Sequence, residues 1–63
     1  MENQSTLIKK LRKLSGNLTQ KEFAEKVGTK PTRISEYENN KHDISLNKFI
    51  EWCKKVNIEL KSL

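Results

Sequence analysis

The chain has 63 residues, 33% of them hydrophobic, and its 13 Lys and Arg against 8 Asp and Glu give a formal net charge of +5. This length allows one small domain with a thin core, and a single cysteine and a single histidine exclude an internal disulfide and a four-ligand Cys/His zinc site. No apolar run approaches the ~20 residues of a membrane span and the N-terminus lacks a signal peptide's apolar stretch, so we expect a cytoplasmic protein without a membrane partner.

The apolar spacing predicts a first helix at about residues 4–14. Its buried face repeats leucine at helical intervals: Leu7, Leu11, Leu14 and Leu18. Gly16 and Asn17 follow as a stop, because both residue types adopt the left-handed conformation that ends helices.

A second helix is predicted at about residues 20–27. Thr19 and Glu22 have the spacing of a capping box, in which each side chain binds a backbone N–H of the other residue. The apolar positions of this helix are Phe23, Ala24 and Val27. Gly28 ends it.

The rest of the chain predicts two further helices and a tail. Pro31 suits the first position of a helix at about 31–39, and Ser45 is a plausible N-cap for a helix at about 46–56. The apolar face of the fourth helix is Leu46, Phe49, Ile50, Cys53 and Val56, with Trp52 at its margin. In the tail at residues 58–63 the alternation of Ile58 and Leu60 with polar residues favours a strand over an isolated helix, and a lone strand needs a partner.

Residues 20–39 satisfy the steric requirements of two helices crossing at a fixed angle. Ala24 is small where the second helix crosses, and Gly28 supplies positive φ at the turn. The inward positions are apolar throughout: Phe23, Val27, Ile34 and Tyr37.

At these spacings residues 18–28 (LTQKEFAEKVG), 34–41 (ISEYENNK) and 45–46 (SL) resemble the Cro/phage-repressor (XRE) type of helix-turn-helix domain. The resemblance covers about residues 7–60. It implies one all-α, lambda-repressor-like domain of four to five short helices over residues 1–63, with the helix-turn-helix at 20–39. It also implies a homodimer that binds a pseudo-palindromic operator in double-stranded DNA and is associated with the nucleoid. Members of this family mostly repress transcription, so the resemblance implies a repressor.

The third helix is the predicted DNA-reading element, because an α-helix fits the major groove, where each base pair shows its own pattern of donors and acceptors. With Ile34 and Tyr37 turned inward, the predicted base-contacting residues are Lys30, Thr32, Arg33, Ser35 and Glu36. Pro31 stands where family members often carry Gln, so one base contact is lost.

Phosphate contacts are predicted around this helix. Gln20 begins the second helix, where free N–H groups suit a phosphate oxygen, and residues 39–41 match a family segment that grips the backbone. The complete set is Gln20, Asn39, Asn40, Lys41 and, on helix 1, Lys9, Lys10 and Lys13. The basic excess is largest in residues 1–15, whereas residues 31–45 are slightly acidic.

Some polar residues also have a purely structural interpretation. Glu36 fits a solvated surface position as well as a base contact, and Glu38 fits an ion pair with Arg12 or Lys13. Cys53 is predicted to pack in the core, and His42 to be a loop residue.

Neither a nucleophile–base pair nor a glycine-rich phosphate loop is present, which argues against an enzyme and gives no cofactor. The alternative function is an antitoxin-type or anti-repressor module that binds a protein partner and binds DNA only secondarily. The tail at residues 57–63 supports this alternative and also predicts a dimer interface at Ile58, Leu60 and Leu63.

Overall fold

The computed structural model describes residues 3–63, and four α-helices with a final 3-10 turn make up its regular structure. The elements are α1 (Gln4–Leu14), α2 (Gln20–Val27), α3 (Pro31–Glu38), α4 (Leu46–Lys55) and the turn at Leu60–Ser62. The first two helices have the predicted bounds, and α3 and α4 end at Glu38 and Lys55 rather than at residues 39 and 56. The all-α prediction is therefore confirmed. None of the helices described for residues 3–63 has the length and apolar character needed to cross a bilayer.

Side-chain caps fix where α2 and α4 begin. The Glu22 backbone N–H donates to the Thr19 hydroxyl at 3.1 Å, and the Thr19 N–H donates to Glu22 Oε1 at 2.9 Å. These two bonds form the predicted capping box and satisfy donors that a helix start leaves free. Ser45 caps α4 with one bond, in which its hydroxyl accepts from the Lys48 N–H at 3.1 Å.

The turn between α2 and α3 depends on Gly28, which has φ +78° and ψ 39°. A side chain in this left-handed region is strained, although a Cβ here would lie 3.5 Å from Lys55 Nζ, an ordinary contact. Lys55 Nζ donates to the Val27 carbonyl at 3.1 Å, which caps the end of α2 from α4. The turn is thus shaped by its backbone conformation and held by the fourth helix.

Trp52 lies at the centre of the core, where three helices meet. It is 2% exposed and makes edge-to-face contacts with Phe23 at 5.7 Å and Tyr37 at 5.6 Å between ring centroids. The prediction that Trp52 lies at the margin of the α4 face was wrong. The helix is rotated so that Trp52 fills the junction of α2 and α3, which leaves Leu46 exposed and Ile50 half-buried.

The buried face of α1 also differs from the leucine repeat. Ile8 and Leu11 are fully buried, whereas Leu7 is half-buried and Leu14 is 50% exposed. The reason is that α1 packs on α3 along a row that includes Ile8, and the chain turns away at Ser15 before any element covers Leu14.

In the single chain the tail is not a strand, and a strand that pairs with a partner stays a prediction. The Ser62 N–H donates to the Glu59 carbonyl at 2.9 Å and the Leu63 N–H to Leu60 at 3.1 Å, which makes a 3-10 turn. A strand needs a neighbour to pair its backbone groups, whereas a tight turn pairs its own. Ile58 and Leu63 pack against the core.

The capping box makes the stability of the fold depend on pH. The pKa of Glu22 is lowered from its ordinary value, first because its carboxylate accepts from the Thr19 backbone N–H and second through the Thr19 side chain. Such a carboxylate stabilises the fold above its ordinary pKa, and this contribution is lost as pH falls through the lowered value.

We therefore expect acidification from about pH 5 to about pH 3 to destabilise the wild type more than Glu22→Gln, whose amide oxygen still accepts the bond. Thermal unfolding by circular dichroism over this range measures the difference. Glu25→Gln, at an exposed position of the same helix, is the control. Identical pH profiles for the wild type and Glu22→Gln would contradict the role of the box.

Candidate nucleic-acid interface

Helix α3 divides into a buried face and an exposed face, as its sequence predicts. Ile34 and Tyr37 are buried in the core. The residues that begin the helix are all exposed: Lys30, Pro31, Thr32 and Arg33. Pro31 occupies the first turn and Lys30 makes no side-chain cap, so the start of α3 presents a free ammonium group beside a rigid backbone.

Glu36 stands one turn after Thr32 and is held between two basic side chains. Its Oε1 lies 3.7 Å from Arg33 Nη1, and its Oε2 lies 3.4 Å from His42 Nε2. The carboxylate is half-buried, with 30% of its side chain exposed. Glu36, for which the sequence left a solvated position and a base contact open, thus lies within ion-pair distance of Arg33 and His42.

Ser35 and Asn39 are linked at the end of α3. Asn39 Nδ2 donates to the Ser35 carbonyl at 2.9 Å and to Ser35 Oγ at 3.2 Å. Asn40 follows with φ +57°, in the left-handed conformation that commonly ends a helix, and the Lys41 N–H donates to the Glu36 carbonyl at 2.9 Å. The exposed side chains of residues 39–41 therefore leave the helix in a defined direction.

Glu38 is the buried charge that joins α1, α2 and α3. It is 4% exposed, and its carboxylate accepts from Arg12 Nε at 3.0 Å, from Arg12 Nη2 at 3.1 Å and from Gln20 Nε2 at 3.2 Å. Arg12 Nη1 also donates to the Leu18 carbonyl at 2.9 Å. Of the two predicted partners, the structure selects Arg12, and Lys13 is exposed.

The contact between Gln20 and Glu38 was not foreseen from the sequence. Gln20 is the first residue of α2 and is half-buried, so its amide is oriented by the protein rather than by solvent. The available signal was that Glu38 stands four residues after the inward Ile34, on the same face of the helix, where a charge needs a buried partner.

Gln4 is a second residue that the sequence did not single out. Its Nε2 donates to the Tyr37 carbonyl at 3.0 Å and to the His42 carbonyl at 2.6 Å, and its Oε1 accepts from the Ile44 N–H at 2.7 Å. One side chain of α1 therefore fixes the loop that carries Asn40 and Lys41.

Lys10 of α1 is separated from this surface. Because Ile8 and Arg12 turn toward α3, Lys10 lies on the opposite side of α1 by helical spacing, where its Nζ reaches the Leu63 carbonyl at 3.3 Å. Lys9 and Lys13 are exposed. The structure thus brings together Lys30, Thr32, Arg33, Glu36 and the 39–41 segment, and it does not bring Lys10 to them.

A family model described as helix-turn-helix matches residues 8–63 of this chain. No curated protein and no solved structure matches the chain. Because the model covers most of the chain, the protein belongs to the helix-turn-helix family, in its Cro/phage-repressor (XRE) type, and is a DNA-binding domain.

Replacing Glu38 by Gln tests the buried cluster. The change leaves the Arg12 guanidinium without its bidentate carboxylate, and loss of one partner of a buried pair costs about 3 kcal/mol or more. We expect urea denaturation to show a loss of about this size. Glu25→Gln makes the same change of charge at an exposed site of α2, and equal stability of the two variants would contradict the role of Glu38.

Proposed function

We propose that this helix-turn-helix protein is a sequence-specific transcriptional regulator that acts as a repressor, with α3 in the major groove of double-stranded DNA. The observation that carries the proposal is the division of α3 into a core face and an exposed face. Burial of Ile34 and Tyr37 fixes the helix, so Lys30, Thr32 and Arg33 project from a rigid support. Occupation of DNA is sufficient for repression, because a bound protein excludes others from the same sites.

Each exposed side chain of α3 suits a particular base edge. The Thr32 methyl group suits contact with a thymine methyl, and Lys30 or Arg33 suits donation to guanine or to a phosphate. Glu36 suits acceptance from the amino group of cytosine, and the Ser35 hydroxyl both donates and accepts. These contacts assign sequence preference to the first two turns of the helix.

Phosphate contacts are assigned to the groups on either side of α3. Asn39, Asn40 and Lys41 are exposed on a loop that Gln4 holds in place, and Gln20 lies at the start of α2. Such contacts orient a protein on the duplex without reading its sequence. Lys9, Lys10 and Lys13 contribute long-range attraction, which requires no direct contact.

The dimensions of the chain support the proposal of a homodimer on a pseudo-palindrome. One copy measures 26 × 25 × 20 Å, whereas successive major-groove segments on one side of DNA are about 34 Å apart. Two copies are therefore needed to enter two such segments. In the tail, Leu60 is 45% exposed and available for a dimer contact, whereas Ile58 and Leu63 are partly buried against the core of the single chain.

Binding to duplex DNA in a salt series tests the central proposal. With a duplex selected from a random library, we expect the logarithm of affinity to fall steeply and linearly with the logarithm of salt concentration. Lys41→Ala should weaken binding to all sequences alike and reduce the slope by about one, whereas Thr32→Ala and Arg33→Ala should relax sequence preference.

Lys54→Ala, at an exposed position of α4, is the matched control and should change neither property. A flat salt dependence at micromolar protein would overturn DNA binding. A change of preferred base in Lys41→Ala would overturn the assignment of that residue to phosphate.

Leu60→Ser tests the dimer interface without disturbing the core. We expect this variant to shift the mass measured by light scattering from dimer toward monomer, because the substitution removes an exposed apolar contact. Leu14→Ser, at a leucine 50% exposed on α1, is the control and should leave the mass unchanged.

An unchanged dimer in Leu60→Ser would show that the tail is not the interface. A second polypeptide that purifies in fixed ratio with the chain and prevents duplex binding would instead favour the antitoxin-type alternative.

A further inference from the structure

His42 lies beside the DNA-reading helix, although it belongs to the loop that follows. Its Nε2 is 3.4 Å from Glu36 Oε2, and Arg33 Nη1 is 3.7 Å from the other oxygen of the same carboxylate. Glu38, the other carboxylate of α3, is buried with Arg12. The accessible negative charge of α3 is therefore flanked by one permanent cation and by one group whose charge depends on pH.

The backbone that carries the imidazole is held by hydrogen bonds. The His42 carbonyl accepts from Gln4 Nε2 at 2.6 Å, and two residues later the Ile44 N–H donates to Gln4 Oε1 at 2.7 Å. Both bonds come from one side chain of α1 and anchor the backbone after His42, and the Lys41 N–H, which donates to the Glu36 carbonyl at 2.9 Å, anchors the backbone before it. The anchored loop therefore keeps the imidazole, whose side chain is 53% exposed, 3.4 Å from the Glu36 carboxylate.

We propose that His42 is a positioning residue for Glu36 and that its protonation strengthens DNA binding. This inference rests on the proposed function, since it concerns how the same α3 surface meets DNA. A carboxylate facing a duplex is repelled by phosphates, and an imidazolium at 3.4 Å offsets that charge while holding the carboxylate in one orientation. The neutral imidazole supplies no such compensation, so binding is accompanied by proton uptake.

The other charged groups around His42 do not account for the proposed pH dependence, which is assigned to the pair of His42 and Glu36. Glu36 is the ion-pair partner of His42 among residues 3–63, and Gln4, which contacts the loop from α1, is uncharged. Lys41 and Asp43 flank His42 in sequence with opposite charges, and Arg33 keeps its charge at all pH values considered.

The sequence also limits which side chains change charge between pH 5 and 8. His42 is the single histidine of the chain, and histidine is the side chain whose charge ordinarily changes between pH 5 and 8. Burial raises the pKa of the Cys53 thiol above its already alkaline ordinary value, so this group stays neutral in the window. A pH dependence that disappears with His42 is therefore assigned to His42.

The experiment measures affinity for a duplex selected by the wild type, between pH 5.5 and 8 at constant ionic strength. We expect wild-type affinity to rise as pH falls, by at most about tenfold per pH unit for each chain bound, because one proton is taken up per chain. His42→Gln should be nearly independent of pH, and His42→Arg should bind tightly and independently of pH across the range. Circular dichroism at each pH confirms that the variants stay folded.

Glu36→Gln separates positioning from a direct effect of charge on phosphate. If His42 acts through the carboxylate, this variant loses most of the pH dependence, and if His42 acts on phosphate alone, the dependence persists in full and the positioning role is overturned. Equal pH profiles for the wild type and His42→Gln would overturn the inference while leaving DNA binding intact. Absence of duplex binding at every pH and salt concentration would overturn the proposed function and this inference together.

Discussion

The buried carboxylate of Glu38 is the interaction on which the rest of the molecule depends. It receives two hydrogen bonds from Arg12 and one from Gln20, so a single side chain joins the first three helices. A buried charge is tolerated only when its partners are complete, and here they include a bidentate guanidinium. Since Gln20 begins α2 and Glu38 ends α3, the same bonds fix the two ends of the helix-turn-helix relative to each other.

Around this cluster the core and the proposed DNA surface are built from alternate faces of the same helices. Trp52 fills the junction of α2 and α3 from α4, and Lys55 of that helix caps the turn before α3. The support for α3 is therefore largely apolar and rigid, whereas its outer residues are free to differ in chemistry. Gln4 extends this support to the loop after α3, which places the exposed His42 side chain beside Glu36 of the helix.

Local signals predicted the helices accurately because their determinants are close in sequence. The capping box at Thr19 and Glu22, the left-handed glycine at Gly28 and the cap at Ser45 each act within four residues. The inward positions of α3 followed from helical periodicity alone. The contact of Glu36 with His42 did not follow from periodicity, because His42 belongs to the loop after the helix. The faces of α1 and α4 were predicted less well, since leucine spacing gives a stripe but not the rotation at which a helix meets its neighbours.

The sequence by itself determined the class of the domain, the bounds of its helices and the residues that α3 exposes, because capping, turn conformation and periodicity are short-range properties. Tertiary structure decided the rest. It selected Arg12 over Lys13 as the partner of Glu38, moved Trp52 from the margin to the centre of the core, and turned the tail into a 3-10 turn. These outcomes depend on how helices distant in sequence cross and on which backbone groups find a partner, and a single sequence does not specify that geometry.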